Sequence, residues 1–223
     1  MLRLVLASRS PARLTTLRSA GVDPAVRVSD VDEAAVLRDA AERYGDLAPV
    51  DAVLVLARAK AEEVARVLDA EADADEPVDD GTDADLLVGC DSMLELDGEI
   101  LGKPRDADDA RERWRAMRGR AGVLHTGHWL IDLRHHDDDG TGATLGATAS
   151  TTVHFADLTD AEIDAYVATG EPLHVAGAFT VDGLGGPYVE RIEGDHHNVV
   201  GISLPLVREM LDEVGVAWHE LRG

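Results

Sequence analysis

The stretch that most constrains the fold lies near the start of the chain, at residues 4–13. Its first half, Leu-Val-Leu-Ala, is an apolar run with a β-branched residue, which indicates a buried strand. In its second half, Ser10 can cap a helix and Pro11 suits the first helical position. A strand, a loop and a helix start therefore follow one another, and the free N–H groups of the helix favour an anion such as phosphate. The loop also carries Ser8, Arg9 and Arg13.

The composition predicts one globular domain over residues 1–223, since 45% of the residues are hydrophobic. The net charge of −23 argues against binding nucleic acid through a basic face. Cys90 is the single cysteine, so no internal disulfide framework exists. Since the sequence has neither an apolar run of membrane-spanning length nor a signal-peptide pattern, we expect a cytoplasmic protein without membrane association.

Alternating strand and helix patterns predict an α/β fold with a mixed sheet. A stripe of apolar residues predicts a helix over residues 49–69, and Asp97-Gly98 predicts a hairpin turn that brings Asp91 and Lys103 near each other. Residues 25–29 and 216–221 are interpreted as strands. The acidic segment 71–85 is predicted to be a mobile loop inside the domain.

Lysine is rare in this chain, with Lys60 and Lys103 as the only examples. A sequence that otherwise uses arginine can retain lysine where a compact point charge is needed. The competing interpretation, two leftover surface lysines, is equally compatible with the count.

The chemistry-bearing residues at the predicted strand and helix ends are cations and carboxylates: Arg13, Lys60, Lys103, Glu33 and Asp91. Phosphoryl transfer uses this mixture, because cations hold the phosphates, carboxylates hold a divalent metal, and one carboxylate can activate water. No Walker loop, dinucleotide-binding fingerprint or nucleophile elbow is present. Three acids within residues 29–33 are by themselves more typical of a solvated loop or a helix start than of a metal site.

Seven sequence blocks carry more specific information than single residues do, because their order and spacing are distinctive. They are LVLASRSPAR (4–13), SDVDE (29–33), LARAKA (56–61), GCDSMLELDGEILGKP (89–104), YVATGEPLHVAGAF (166–179), GLGG (183–186) and VERIEGDHHNVVGISLPL (189–206). Through these blocks the sequence resembles the Maf family of nucleoside triphosphate pyrophosphatases along nearly its whole length. The resemblance implies a mixed, curved β-sheet flanked by helices, hydrolysis of a nucleoside triphosphate to monophosphate and pyrophosphate with Mg²⁺ or Mn²⁺, and a cytoplasmic homodimer.

The resemblance also implies roles for individual residues. Asp91 is expected to be the catalytic carboxylate and, with Glu33, a metal ligand. Phosphate contacts are expected from Ser8, Arg13, Lys60 and Lys103. Both lysines fall on positions where the family carries functional lysines, which favours function over chance.

Two departures from the family pattern bear on substrate binding. Many members have two arginines after the proline, but this chain has Ala12 and Arg13, so a cation is lost unless Arg9 replaces it. Asp182 stands where members selective for dTTP and UTP have glutamine. A carboxylate can accept hydrogen bonds from a guanine edge, whereas glutamine also offers a donor to uracil or thymine. Asp182 therefore favours a base such as 7-methylguanine, with dTTP or UTP as the alternative.

A second functional class remains open at this point. A nucleotide-binding regulator of septum formation would need the phosphate site but not turnover. The joint presence of Glu33, Lys60, Asp91 and Lys103 favours catalysis, because a pure binder has no need of a base.

Overall fold

The computed structural model describes residues 2–72 and 84–222, which form two compact units. Of the described residues, the first unit comprises 2–72, 84–91, 127–148 and 204–222, and the second comprises 92–126 and 149–203. The predicted acidic loop at 71–85 lies largely outside the described residues.

The described elements alternate between strands and helices. The strands are β1 (Leu4–Ala7), β2 (Ala25–Arg27), β3 (Leu86–Leu96), β4 (Glu99–Leu101), β5 (Ala121–Asp132), β6 (Thr144–Phe155) and β7 (Val189–Glu193). The helices are α1 (Pro11–Ser19), α2 (Glu33–Tyr44), α3 (Pro49–Ala72), α4 (Ala107–Met117), α5 (Asp160–Ala168), α6 (His196–Val200) and α7 (Leu204–Glu213). The strands form a mixed seven-stranded sheet in the order β2-β1-β3-β5-β6-β7, with β4 paired to β3. This confirms the predicted α/β fold with a mixed sheet flanked by helices.

In the first unit, β1 is a buried central strand, as its apolar run predicts. It pairs in parallel with β2 on one side and β3 on the other, with Val5 opposite both Ala25 and Leu87. The core beneath these strands joins sheet residues to α3, and it contains Val5, Ala7, Ala61, Val64, Leu87 and Ile131. Because β1 and β3 are parallel neighbours with Ala7 opposite Gly89, residue 8, directly after β1, lies near residues 90 and 91 in the middle of β3.

A glycine sets the distance between β3 and α3. A Cβ atom at Gly89 would lie 2.5 Å from the carbonyl oxygen of Ala57 and 2.9 Å from Cβ of Ala61. Contacts under about 3 Å are clashes. The strand and the helix therefore pack backbone against backbone, two residues before Asp91.

In the second unit, β3 and β4 form the predicted hairpin, with Leu96 opposite Glu99. Asp97 and Gly98 both have positive φ, 54° and 85°, as a tight hairpin turn requires. The core of this unit is built around Trp114, whose ring makes edge-to-face contacts with Phe155 and Tyr166. The indole N–H of Trp114 donates to the carbonyl of Ala178 at 2.8 Å.

The helix prediction over 49–69 is confirmed, and the helix runs on to Ala72. The predicted strand at 216–221 is wrong, because Trp218–Leu221 forms a helical turn. The Glu220 carboxylate accepts the backbone N–H of Ala217 at 2.7 Å and so closes the turn locally. The strand predicted at 25–29 is shorter and covers only Ala25–Arg27.

Among the residues that the structure describes, no helix is both long enough and apolar enough to cross a membrane.

Candidate active site

The first unit places Lys60 between two carboxylates. The Nζ atom of Lys60 lies 2.6 Å from Oδ1 of Asp91 and 2.8 Å from Oε1 of Glu33. The Lys60 and Asp91 side chains are 13% and 12% exposed, whereas that of Glu33 is 55% exposed. A buried ion pair of Lys60 and Asp91 thus contacts the solvent-exposed carboxylate of Glu33. Phosphoryl transfer uses this combination of a cation and carboxylates.

Three elements supply these side chains. Asp91 lies in β3, and Lys60 lies on α3 within the helix stretch that packs on Gly89. Glu33 is the first residue of α2, and Asp32 caps this helix, because its carboxylate accepts the N–H of Ala35 at 2.9 Å. The acidic segment at 29–33 is therefore a helix start, one of the two structures that its composition favoured.

The loop after β1 is organised by Arg13, which is itself buried. Its guanidinium donates to Oγ of Ser8 at 3.0 Å and to the carbonyl oxygen of Cys90 at 2.9 Å. The Ser10 side chain caps α1 by accepting the N–H of Arg13, as predicted. Arg13 thus ties the loop to the residue directly before Asp91.

Arg9 differs from Arg13 in its exposure. Its side chain is 73% exposed and lies 3.3 Å from the carboxylate of Asp30, which is 90% exposed. An ion pair this exposed contributes little stability and separates readily. Arg9 is therefore the solvent-facing cation of the loop.

Burial dominates the electrostatics at Asp91. Removal from water raises the pKa of the Asp91 carboxyl, and the positive charges of Lys60 and Arg13 act in the opposite direction. Burial also raises the pKa of the neighbouring Cys90 thiol to about 11, so this cysteine is neutral and unreactive near pH 7.

The second unit contains Lys103, two residues after β4, and this residue is exposed. The backbone here is held by Arg113 of α4, which donates to the carbonyls of Gly102 at 2.6 Å and Lys103 at 3.4 Å. Asp109 in turn lies 2.8 Å from the Arg113 guanidinium. These contacts fix the main chain of the segment and leave the ammonium group of Lys103 in solvent.

Asp182, also in the second unit, is exposed on a loop that is built around one carboxylate. Glu171 accepts hydrogen bonds from Tyr166 Oη at 2.9 Å and Thr180 Oγ1 at 2.5 Å. It also accepts the backbone N–H groups of Leu184 at 2.9 Å and Gly185 at 3.0 Å. Burial works against ionisation of Glu171, but these hydrogen bonds outweigh it and lower its pKa. The carboxylate therefore closes the loop on both sides of Asp182.

The structure brings together five of the seven predicted site residues in the first unit: Ser8, Arg13, Glu33, Lys60 and Asp91. Lys103 and Asp182 belong to the second unit, and the expected proximity of Asp91 and Lys103 stays a prediction. Sequence reasoning missed Glu171, although the glycines that follow at 183–186 were a signal. A Cβ atom at Gly183 would lie 2.5 Å from Oε2 of Glu171, so that position leaves no room for a side chain.

Comparison with known proteins gives a consistent result. The family model described as "Maf-like protein" matches residues 3–214. A protein of Leifsonia xyli subsp. xyli named nucleoside triphosphate pyrophosphatase is 51% identical over 220 residues, covering 99% of this chain and 96% of its own length. Relatives with the same name from Salinispora tropica and Saccharopolyspora erythraea are 54% and 52% identical, covering 96% and 100% of this chain and 85% and 98% of their own.

One solved structure, a nucleoside-triphosphatase (dITP/XTP pyrophosphatase) from Mycobacterium abscessus, has a TM-score of 0.35 and 13% identity over 70% of this chain and 76% of that one. That similarity is too low to support an inference. The family model matches residues 3–214, and the three relatives are each more than 50% identical to this chain. These matches show that the chain belongs to the Maf-like protein family.

Proposed function

We propose that this protein hydrolyses a nucleoside triphosphate to the monophosphate and pyrophosphate. The observation that carries the proposal is the contact of Lys60 with both Asp91 and Glu33. The names of the relatives support the same reaction class. With its net charge of −23, the protein needs such a local cation to attract a polyanion.

In the proposed reaction, water attacks the α-phosphorus, the bond from that phosphorus to the bridging oxygen breaks, and pyrophosphate leaves. Asp91 accepts the proton of the attacking water. Its burial supports this role, because a raised pKa makes the carboxylate a stronger base. Lys60 and Lys103 bind phosphate oxygens, and Lys60 holds the Asp91 carboxylate in place.

A divalent cation completes the proposal. Glu33 and Asp91 offer carboxylate oxygens, which are the ligands that Mg²⁺ and Mn²⁺ prefer, and both oxygens already approach a single cation, Lys60. The donor set therefore fits such an ion, held by Glu33 and Asp91. When bound, the ion supplies positive charge that neutralises the phosphates.

The loop at residues 8–13 supplies the remaining phosphate contacts in this proposal. Ser8 and Arg13 shape the loop through their mutual hydrogen bond, and Arg9 presents the exposed charge. Arg9 thereby replaces the arginine that is absent at Ala12.

Asp182 is proposed to read the base. An exposed carboxylate on a loop fixed by Glu171 can accept hydrogen bonds from the amino and imino groups of a guanine edge. This favours 7-methyl-GTP over dTTP and UTP as the substrate.

A substrate panel tests the function. Pyrophosphate release is measured with Mg²⁺, and then with Mn²⁺, for 7-methyl-GTP, GTP, dTTP, UTP, dITP and XTP. We expect release with at least one of these, and the largest kcat/KM with 7-methyl-GTP. Binding of these nucleotides without any release would contradict the proposal and favour a nucleotide-binding regulator of septum formation.

The proposal includes a cytoplasmic homodimer, as in the family that the sequence resembles. Light scattering during size-exclusion chromatography gives the mass directly, with 23.8 kDa expected for the single chain and twice that mass for the proposed dimer.

A further inference from the structure

The segment that follows β7 carries a cluster of side chains that can bind a metal, and none of them belongs to the residues proposed for the nucleotide site. Asp195, His196 and His197 are consecutive, and each offers a ligand atom within 4.8 Å of the other two. None of the three has a role in the proposed hydrolysis. All three lie in the second unit, whereas the carboxylates proposed to hold Mg²⁺ lie in the first.

The carboxylate of Asp195 is only partly used by the protein. Its Oδ1 atom accepts the backbone N–H of His197 at 3.0 Å and lies 3.1 Å from Nδ1 of the same residue. Its Oδ2 atom is buried and has no hydrogen-bond partner among the residues that the structure describes. A buried carboxylate oxygen without a donor is costly, and a bound cation removes that cost.

The two imidazoles provide nitrogen ligands with access to solvent. His196 is exposed, and the side chain of His197 is 33% exposed. Their ring centroids are 3.8 Å apart, so both rings occupy the same side of the segment. Two imidazoles and one carboxylate match the preference of Zn²⁺, Co²⁺ and Ni²⁺, whereas Mg²⁺ prefers an all-oxygen set.

The backbone that carries these ligands is firmly held. Asn198 donates from Nδ2 to the carbonyl of Leu124 at 3.1 Å and to Oγ1 of Thr151 at 3.0 Å. The same Thr151 hydroxyl donates to the carbonyl of Asp195 at 3.0 Å. Gly194, with φ of 121°, turns the chain immediately before the ligands. A site on a fixed backbone loses little conformational entropy when it binds an ion.

We propose that Asp195, His196 and His197 bind a divalent transition-metal ion, with Zn²⁺ as the preferred ion. Three protein ligands leave a fourth position of the tetrahedral shell for water. None of these three residues takes part in the proposed hydrolysis, so the two proposals can be tested independently.

The test uses the untagged full chain and ZnCl₂ in isothermal titration calorimetry, with Co²⁺ absorption spectra as a second readout. We expect one strong Zn²⁺ site per chain in the wild type. His196→Ala and His197→Ala should each weaken binding by roughly tenfold or more. His219→Ala removes an exposed histidine of the first unit and serves as the matched control, with unchanged affinity expected.

A further variant separates this site from the proposed Mg²⁺ site. Asp91→Asn should leave Zn²⁺ affinity unchanged, since Asp91 is not one of the three ligands. The proposal is overturned if Zn²⁺ does not bind, if the His196 and His197 variants bind as tightly as the wild type, or if Asp91→Asn abolishes binding. Thermal melting of each variant without metal confirms that the histidine variants are folded.

Discussion

The ammonium group of Lys60 lies 2.6 Å from the carboxylate of Asp91, although 31 residues separate the two in sequence. Both side chains are largely buried, so their charges interact through a medium of lower dielectric than water. The charge of Lys60 therefore opposes the effect of burial on the Asp91 pKa, and its hydrogen bond fixes the carboxylate in one orientation. The proposed water activation requires a base that is held in one orientation.

Replacing Asp91 with asparagine should lower kcat by roughly two orders of magnitude or more, because the variant keeps the shape of the side chain and loses the base. Pyrophosphate release with the best substrate of the panel measures the effect. Asp164→Asn, an exposed change on α5, is the matched control and should retain normal turnover. Near-normal rates in Asp91→Asn would remove Asp91 from the mechanism.

The two arginines of the loop should respond differently to replacement. Arg9→Ala should raise KM for the triphosphate by roughly tenfold with little change in melting temperature, since Arg9 is exposed and its contact with Asp30 is weak. Steady-state kinetics and thermal melting measure both quantities. An unchanged KM would show that Arg9 does not replace the cation missing at Ala12.

Arg13→Ala should lower stability as well as substrate affinity. The change removes hydrogen bonds to Ser8 and to the carbonyl of Cys90, and buried charged hydrogen bonds are worth about 1.5–3 kcal/mol each. Urea unfolding gives the loss of stability, and kinetics give the rise in KM. A stable variant with a raised KM alone would mean that Arg13 acts only as a phosphate ligand.

Glu171→Gln should weaken selection among bases more than it slows the reaction. The amide keeps one acceptor oxygen but cannot serve all four donors that now converge on the carboxylate. The loop that carries Asp182 should loosen, so that the ratio of kcat/KM between 7-methyl-GTP and UTP falls by roughly tenfold. Tyr166→Phe removes a single donor and should have a smaller effect. Equal loss of kcat for every nucleotide would point to a general folding defect.

Asp132 should make stability depend on acid pH. Burial alone would raise its pKa, but hydrogen bonds from Arg134 and Thr141 outweigh burial and lower it. The carboxylate therefore stabilises the fold fully above its ordinary pKa near 3.9, and this contribution is lost as the pH falls toward the lowered folded value.

Asp132→Asn measures that contribution, because the buried Arg134 loses its charged partner. Urea unfolding at pH 7 should show a loss of roughly 3 kcal/mol relative to the wild type. As the pH falls below 4 toward the lowered folded pKa of Asp132, the difference in stability between the two proteins should shrink. A difference in stability between wild type and Asp132→Asn that stays constant from pH 7 to acid pH would contradict this role of Asp132.

Local patterns predicted much of the fold. The hairpin at Asp97-Gly98 could be predicted because adjacent positive φ values restrict the residue choice. The strand interpretation of residues 216–221 is wrong, because Trp218–Leu221 forms a helical turn that the contact of the Glu220 carboxylate with the Ala217 N–H closes. A five-residue helix such as α6 has too little periodicity to be recognised.

Some features of the candidate site could be predicted from the sequence, and others could not. Family resemblance identified Lys60 and Asp91, and their contact agrees with the expectation that they act together. The burial of Arg13 could not be predicted, because its acceptor is the main-chain carbonyl of Cys90, 77 residues away, and any residue type supplies a carbonyl. The convergence on Glu171 likewise depends on backbone N–H groups that leave no mark in the sequence.

The close packing at Gly89 has a consequence for how this protein can be altered by evolution or by engineering. Even a methyl group there would collide with Ala57 and Ala61, and to make room α3 would have to move away from β3. Lys60 lies on that helix and Asp91 in that strand, so the shift would change the distance between these two side chains. Position 89 contacts no substrate in the proposed reaction, yet a saturation library selected for turnover should return only glycine there. Exposed Gly98 has no atoms within 4 Å of its missing Cβ, and this position should tolerate asparagine.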